Sequence, residues 1–184
     1  ASNAHGPLRF RYGTVRDWLI GVRVVLADGT LVRGGGRVVK NVAGYDLPKL
    51  FAGSMGTLGV IAEATFKLSP LPPASRTLIA SGETPAAPAK ALQTLMHWTP
   101  LPNAVELLDP ALASHVLERE PETGFALVAQ CAGTSADVAR QVEDFGKVCK
   151  DLDLNVGAPV QAEGEAELWN KLRELPATLA VAEA

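Results

Sequence analysis

Four glycines stand close together between Lys40 and Leu68, in the run KNVAGYDLPKLFAGSMGTLGVIAEATFKL. Glycine loses more conformational freedom on folding than any other residue, so this density indicates a backbone that turns tightly or that another group approaches closely. The strand predicted to leave the loop begins at Gly59, where peptide N–H and C=O groups can face a bound molecule without intervening side chains. This arrangement is typical of a surface that holds a flat heterocycle, and a flavin ring fits it. The four glycines are Gly44, Gly53, Gly56 and Gly59.

The rest of the sequence offers no catalytic set. No nucleophile elbow, Ser/His/Asp set, Walker loop or metal cluster can be assembled from it. Cys131 and Cys149 are isolated and are expected to be partly buried free thiols. The histidines His5, His97 and His115 lack metal-ligand spacing, so no metal site is predicted. The catalytic residues stay unassigned, and a cofactor held by the glycine-rich region would have to supply the difficult chemistry.

Composition and charge argue against several classes of function. The 184 residues include 17 Lys plus Arg and 20 Asp plus Glu, for a net charge of −3. This balance gives no electrostatic reason to expect nucleic acid or an anionic membrane as a partner. No run approaches the ~18 consecutive apolar residues of a membrane-spanning helix. We therefore expect a globular protein of the cytoplasm.

A predicted hairpin precedes the glycine-rich stretch. Asp28-Gly29 stands between the apolar runs WLIGVRVV and TLVR, which is the strongest short signal for a β-hairpin turn. The triple glycine Gly34–Gly36 then breaks the returning strand. It lacks the Gly-Lys-Ser/Thr ending of a phosphate loop and opens a strand where a phosphate loop opens a helix, so we interpret it as a flexible turn.

A short helix and a strand flank the segment Gly53–Gly59, which we call the glycine loop. Asp46–Ala52 predicts a helix that Asp46 caps, with Pro48 in its first turn. Its expected apolar face consists of Leu47, Leu50 and Phe51. Val60–Leu68 predicts the strand that leaves the loop, and we expect its apolar residues to be buried, namely Ile61, Phe66 and Leu68 with Ala64 or Thr65.

The proline-rich run Ser69–Pro73 predicts a domain boundary, because a sheet interior cannot accommodate so many prolines. We divide the chain into residues 1–72 and 73–184. The second part predicts the order β-α-β-β-α-β, in which two helices cover one face of a four-stranded antiparallel sheet in a ferredoxin-like arrangement. Its strands are predicted at RTLIASGE, AVELLD, GFALVAQCAG and NVGAPVQA, its helices at PAAPAKALQTLMHW and ADVARQVEDFGKVCKDL, and a short helix at PALASHVLE. The inner face of the first helix is expected to hold Ala91, Leu92, Leu95 and Met96.

A terminal helix, EGEAELWNKLREL, follows this domain. Its apolar residues recur at helical spacing, which favours ordinary core packing and leaves a partner-subunit face as the alternative. They are Leu168, Trp169, Leu172 and Leu175.

The block KNVAGYDLPKLFAGSMGTLGVI, together with ASNAHGPLRFRYG and the hairpin between them, carries a resemblance to a known family. Residues Ala1–Pro72 resemble the second half of the FAD-binding domain of the FAD-linked oxidases of the vanillyl-alcohol oxidase and p-cresol methylhydroxylase type. Within that family they look most like the FAD-binding subunit of bacterial glycolate oxidase and the related D-lactate and D-2-hydroxyglutarate dehydrogenases. The implied fold is α+β, half of a p-cresol methylhydroxylase-type domain followed by the ferredoxin-like substrate or cap domain.

The resemblance implies a set of FAD-binding residues. Those in the first loop are expected near the FAD diphosphate and the ring edge, and those of the glycine loop border the isoalloxazine. Lys40 would place positive charge near the flavin or a substrate carboxylate, with an exposed strand-end lysine as the alternative. Tyr45 and Asp46 are expected to organise the turn and to cap the helix. The implied cofactor-binding residues are Ser2, Asn3, Gly6, Lys40, Gly56, Thr57, Gly59, Val60 and Ile61.

Two departures from the family shape the functional expectation. The N-terminal half of the domain, with its pyrophosphate loop, is expected to lie outside this chain, which would then be a C-terminal part that is inactive alone. Related dehydrogenases often carry Glu where Met55 stands, and their catalytic histidine and metal-ligand cluster have no counterpart in this sequence. These departures favour the accessory flavoprotein subunit, whose oxidising site would lie on a partner chain. In the intact complex the resemblance implies oxidation of glycolate to glyoxylate with electrons passed to the flavin. Two alternatives stay open, namely a structural or electron-relay subunit, and a D-lactate-type dehydrogenase active alone.

The resemblance also implies partners. The chain is expected to assemble with the other glycolate oxidase subunits, a flavoprotein and an iron–sulfur subunit, and to act on a small 2-hydroxy acid. Association with the inner face of the cytoplasmic membrane is expected only through these partners.

Overall fold

The computed structural model describes residues 1–38, 44–118, 124–160 and 162–182. Contacts divide the chain into two compact units, Ala1–His5 with Gly13–Pro70 and Gly6–Tyr12 with Leu71–Ala184. The domain limits 1–72 and 73–184 stay a prediction. The helices are α1 Arg9–Tyr12, α2 Val15–Trp18, α3 Leu47–Phe51, α4 Ala86–Leu95, α5 Pro110–Leu117, α6 Ser135–Asp151 and α7 Ala162–Ala182. The strands are β1 Leu19–Val25, β2 Leu31–Gly35, β3 Val60–Phe66, β4 Ala74–Gly82, β5 Ala104–Leu108, β6 Phe125–Gly133 and β7 Asn155–Val156.

The first unit is built on an antiparallel sheet with the strand order β2-β1-β3. The hairpin between β1 and β2 turns at Asp28-Gly29, as the sequence predicts. Asp28 Oδ1 accepts a hydrogen bond from the N–H of Thr30 at 2.9 Å, and Gly29 adopts a φ of 84°. The turn therefore uses a left-handed glycine and a local Asp side-chain bond, for which this dipeptide is suited.

The core of the first unit lies between one face of this sheet and α3. Val22, Val24 and Phe51 are buried there, with Leu19. Asp46 caps α3 by accepting a hydrogen bond from the N–H of Lys49, as predicted. Three predicted core residues are instead exposed, namely Leu50, Phe66 and Leu68. The five-residue helix buries only a narrow face, formed by Pro48 and Phe51, and β3 ends at Phe66, so Leu68 lies beyond the sheet.

The second unit contains an antiparallel sheet with the order β5-β6-β4-β7. This is the strand order of a ferredoxin-like fold, so the predicted α+β class is confirmed. One face packs against α4 and α6 around Leu95, Leu127 and Phe145. The other face packs against α5 and α7. The apolar stripe of α7 is core packing, as favoured from the sequence, because Leu168 and Leu172 are buried against that face.

Two details of the second unit differ from the prediction. The last strand is only Asn155–Val156, because Gly157 and Pro159 interrupt the extended run, although Val160 still forms an isolated bridge to Thr77. Met96 is exposed, because α4 ends at Leu95 and Met96 is its C-cap.

A buried carboxylate anchors α7 to the sheet. Glu165 accepts hydrogen bonds from Ser75 Oγ at 2.6 Å, Thr77 Oγ1 at 2.7 Å and Gln130 Nε2 at 3.3 Å. Trp169 Nε1 donates to Thr77 Oγ1 at 2.7 Å. These bonds satisfy a polar group that would otherwise be costly to bury. Among the described residues, no helix is long and apolar enough to cross a membrane.

Candidate functional site

The glycine loop joins α3 to β3 and is a series of tight turns. The N–H of Ser54 donates to the carbonyl of Phe51 at 3.2 Å, and the N–H of Thr57 donates to the carbonyl of Ser54 at 3.0 Å. Thr57 Oγ1 donates to the same Ser54 carbonyl at 2.7 Å. Positive φ angles recur at 87° for Gly53, 55° for Met55 and 82° for Gly56. The density of glycine in the sequence thus corresponds to left-handed backbone, which other residues adopt only with strain.

Gly59 ends the loop at a point of close backbone approach. Its φ is 151°, and a Cβ atom there would lie 2.7 Å from the carbonyl oxygen of Val25 and 2.8 Å from Val24 Cγ1. Only glycine lets β3 begin this close to the end of β1. Gly56 is different, since its φ is 82° but a Cβ atom would meet nothing within 4 Å. The backbone at Gly56 is open to an approaching molecule.

Polar groups of the loop are left for a ligand. The Oγ atom of Ser54 is buried and has no hydrogen-bond partner within the described residues. The backbone N–H groups of Gly56 and Leu58 likewise donate no hydrogen bond to any described residue. A buried polar atom without a partner is rare and calls for an explanation. The two free N–H donors and the open glycine surface fit the acceptor-rich edge of a flavin.

The first loop of the chain contacts the glycine loop. The carbonyl of Ala1 accepts a hydrogen bond from the N–H of Met55 at 3.2 Å. Asn3 has a φ of 56°, its Oδ1 accepts from the N–H of Arg16 at 2.9 Å, and its Cβ would lie 3.7 Å from a Cβ on Gly53. Ser2 Oγ accepts from the N–H of Ala4 at 3.4 Å. The structure therefore brings Asn3 to the predicted site and leaves Ser2 on the exposed neighbouring turn.

The other predicted site residues fall in different surroundings. Val60 pairs with Val25 and its side chain is 70% exposed, whereas Ile61 pairs with Val24 and packs on the core of the first unit. Gly6 belongs to the second unit, where a Cβ atom would lie 2.8 Å from Arg173 Cγ. Lys40 lies outside the described residues.

The first unit also has a polar cavity of about 260 Å³, which lies at the end of the sheet away from the glycine loop. Asp46 and Lys49 line it and form an ion pair that lowers the pKa of the Asp46 carboxyl. Asp17 also lines it, and hydrogen bonds from the N–H and hydroxyl of Thr14 lower the pKa of its carboxyl. Lys67 stacks over the Trp18 ring at 5.0 Å from its centre. Each of these charged groups already contacts another group of the protein, so the cavity offers a ligand less than the glycine loop does.

Sequence reasoning missed Ser54, whose orphaned hydroxyl is the buried polar group of the loop. Its position inside the Gly-Ser-Met-Gly run was a usable signal, because a serine between turn residues holds its hydroxyl close to the turn backbone. The described residues of the loop include no general acid or base, so the arrangement binds and orients a group that brings its own chemistry.

Comparisons with known proteins indicate a family for the chain. The FAD binding domain family matches residues 1–35. Glycolate oxidase subunit GlcD of Bacillus subtilis (strain 168) is 37% identical over 171 residues, which cover 89% of this chain and 36% of that protein. The mitochondrial D-lactate dehydrogenase [cytochrome] of Arabidopsis thaliana is 42% identical over 183 residues, or 95% of this chain and 31% of that protein. Glycolate oxidase subunit GlcE of Escherichia coli (strain K12) is 49% identical over 73 residues, or 40% of this chain and 21% of that protein.

Solved structures share the fold. An alkyldihydroxyacetonephosphate synthase superposes with a TM-score of 0.73 at 19% identity, covering 97% of this chain and 36% of that chain. Substrate-bound p-cresol methylhydroxylase superposes with a TM-score of 0.62 at 20% identity, covering 86% and 37%. The chain spans about a third, or less, of the length of the relatives it matches. Together with the match to the FAD binding domain, these relatives support the assignment of the chain to the FAD-linked oxidases, whose cofactor is FAD.

Proposed function

We propose that this chain is part of an FAD-dependent 2-hydroxy-acid oxidoreductase and that the glycine loop borders the isoalloxazine of its flavin. The observation that carries the proposal is the open backbone at Gly56, with the free N–H groups of Gly56 and Leu58 and the orphaned hydroxyl of Ser54 beside it. When bound, FAD supplies the acceptor for the hydride that leaves the hydroxy-acid carbon.

In this proposal the chain binds the flavin and orients its ring. The N–H groups of Gly56 and Leu58 donate to acceptor atoms of the ring, where negative charge grows on reduction, and fixed backbone donors stabilise such charge without reorganising. Gly59 holds β3 against β1, which keeps these donors in place. Val60 presents an exposed apolar side chain beside them, and Asn3 fixes the first loop against the turn at Gly53. Ser2, Gly6, Thr57, Ile61 and Lys40 stay predicted FAD-binding residues.

For the substrate we propose glycolate, which the enzyme would oxidise to glyoxylate. The support is the likeness to two proteins named as glycolate oxidase subunits. D-lactate is the competing substrate, because a D-lactate dehydrogenase is about as similar over most of the chain. We propose that the protein assembles with other glycolate oxidase subunits, including an iron–sulfur subunit, and reaches the membrane only through them.

The alternative is a structural or electron-relay subunit of that complex without an oxidising site of its own. The identity to the GlcE subunit is 49% over 73 residues, against 37% over 171 residues to the GlcD subunit, which keeps a non-GlcD role open. The two candidates differ in whether the flavin bordered by this loop takes part in turnover.

The experiment uses the full protein that contains this chain, assembled with its partner subunits. Bound FAD is measured by absorbance, and turnover is measured with glycolate and with D-lactate. Gly56→Val fills the open surface of the loop, and Gly29→Val is the matched control, since both glycines have a φ near 80° (82° and 84°) and no neighbour within 4 Å of a Cβ atom.

We expect Gly56→Val to lose FAD and turnover, while Gly29→Val keeps both. If Gly56→Val loses FAD but the complex turns over glycolate unchanged, the structural or relay role is correct. Full FAD content in Gly56→Val would overturn the placement of the flavin at this loop. A clear preference for D-lactate in the wild type would replace glycolate as the substrate.

A further inference from the structure

The sheet of the first unit has a face opposite α3 that carries an ordered set of side chains. Arg23 in β1 lies directly opposite Arg33 in β2 and opposite Glu63 in β3. The next residues on the same face of β1 and β3 are Gly21 and Thr65, which are also paired. A charged row therefore lies beside a row of small residues.

A cavity of about 230 Å³ lies over these rows. Three arginines line it, Arg23, Arg33 and Arg37, with Glu63 as the acidic residue and Thr65 as a hydroxyl donor. Glycines make up most of the rest of its wall, including Gly21 and Gly36. A Cβ atom on Gly36 would meet nothing within 4 Å, so the space above that backbone is open. The formal charge of the lining is three positive and one negative, or +2.

The arginines of this cavity are only partly neutralised. Arg23 Nη1 contacts Glu63 Oε1 at 2.6 Å. Arg33 and Arg37 form no ion pair or side-chain hydrogen bond within the described residues. Like charges directly opposite each other on neighbouring strands are destabilising, and Arg23 and Arg33 are such a pair. Glu63 supplies a counter-charge for Arg23, whereas Arg33 and Arg37 have none among the described residues, so an anion in the open cavity would balance them.

We propose that this cavity binds a dianionic phosphate group. Guanidinium groups match the oxygen geometry of phosphate with paired hydrogen bonds, and two negative charges balance the +2 of the lining. The row of small residues leaves room for the phosphate between the arginines. This site differs from a phosphate loop, because side chains on a sheet hold the anion in place of backbone N–H groups at a helix start.

The inference does not rest on the proposed flavin function. Gly56 and Gly59 precede Val60, the first residue of β3, whereas Thr65 is one residue from its other end. Binding at the arginine cavity can therefore be measured on the full protein that contains this chain, with its FAD bound. The group bound there can be free inorganic phosphate or the phosphate ester of a larger molecule.

The test is calorimetric titration of the full protein that contains this chain, with FAD bound, at pH 8 and fixed ionic strength, with inorganic phosphate and with glycerol 3-phosphate as probes. A double variant, Arg33→Gln with Arg37→Gln, removes the two unpaired arginines. The matched control, Arg76→Gln with Lys90→Gln, removes two exposed charges from the second unit. Circular dichroism and melting curves verify that both variants are folded.

We expect the wild type to bind with a dissociation constant of about 1 mM or tighter. The arginine double variant should bind at least about tenfold more weakly, since it removes the charge-assisted hydrogen bonds of two guanidinium groups. The control should change affinity less than about twofold, because exposed charges at a distance are screened. Tighter binding of glycerol 3-phosphate identifies an ester as the source, and equal binding identifies free phosphate. Absence of binding by the wild type, or equal losses in both double variants, overturns the proposal.

Discussion

Gly59 offers the sharpest test of how the glycine loop is built. Replacing Gly59 with Ala places a Cβ atom 2.7 Å from the Val25 carbonyl oxygen and 2.8 Å from Val24 Cγ1, both of which belong to the central strand. Neither neighbour is the end of a flexible side chain, so β3 has to move away from β1. The φ of 151° adds strain, because side-chain-bearing residues rarely adopt it.

The expected loss can be divided into these two causes. Backbone strain at a positive φ costs about 1–2 kcal/mol, and overpacking in a tight contact costs roughly 1–3 kcal/mol more. We therefore expect Gly59→Ala to lower the free energy of unfolding by roughly 2–5 kcal/mol. Gly56→Ala carries the strain alone, so a loss of about 1 kcal/mol is expected. Gly36→Ala has neither cause and should stay within about 0.5 kcal/mol of the wild type.

The assay combines urea unfolding, followed by circular dichroism, with hydrogen–deuterium exchange on peptides from β1 and β3. Exchange reports the first unit specifically, and Gly59→Ala should speed it in both strands. A ranking in which Gly59→Ala is as stable as Gly36→Ala would refute the close approach of β3 to β1. Equal losses in Gly59→Ala and Gly56→Ala would show that backbone strain alone accounts for the requirement for glycine at position 59.

Three further predictions concern the second unit. Glu165→Ala leaves the donors of Ser75, Thr77 and Gln130 without their acceptor and should lower the free energy of unfolding, measured with urea, by roughly 3 kcal/mol. The control Glu167→Ala removes an exposed carboxylate from the same helix and should change that free energy by under about 0.5 kcal/mol. Similar losses in the two variants would contradict the anchoring role of Glu165. Burial raises the pKa of the Cys131 thiol to about 12 and of the Cys149 thiol to about 11, so neither should react with a thiol reagent at pH 8 until urea unfolds the chain; rapid labelling of the folded protein would refute their burial. Desolvation raises the pKa of Glu106, with Arg9 partly opposing it. The protonated carboxyl of Glu106 therefore contributes its full share to the free energy of unfolding below the unfolded pKa, and this contribution is lost as the pH rises through the folded pKa. Glu106→Gln should stabilise the protein at pH 7, where the buried carboxylate is charged, and have no effect near pH 3. The same gain at both pH values would exclude this cause.

Local patterns in the sequence were sufficient for most elements. The Asp28-Gly29 hairpin, the Asp46 cap and the order of strands and helices in the second unit depend on neighbouring residues, and all three are confirmed. Periodicity also indicated that α7 packs into a core. Burial at the ends of elements was less predictable, because it depends on where an element stops. Leu68 and Met96 are exposed since β3 and α4 end before them.

Part of the candidate site could likewise be predicted from the sequence, and part could not. The glycine spacing and the Gly-Ser-Met-Gly run are visible in the sequence, and they indicated a tight backbone that a cofactor approaches. The sequence could not separate the two kinds of glycine, because the difference depends on what lies across the sheet. Gly59 is required by the carbonyl of Val25, 34 residues earlier in the chain, whereas Gly56 faces open space.

The sequence by itself determined the family resemblance, the α+β class and the cofactor, since these rest on short motifs and on periodicity along the chain. Only the tertiary structure decided which polar groups are left for a ligand. Strand register set Arg33 opposite Arg23, and the turns at Gly53 and Gly56 left the Ser54 hydroxyl buried without a partner. Both results depend on pairing between distant segments, which local sequence patterns do not specify.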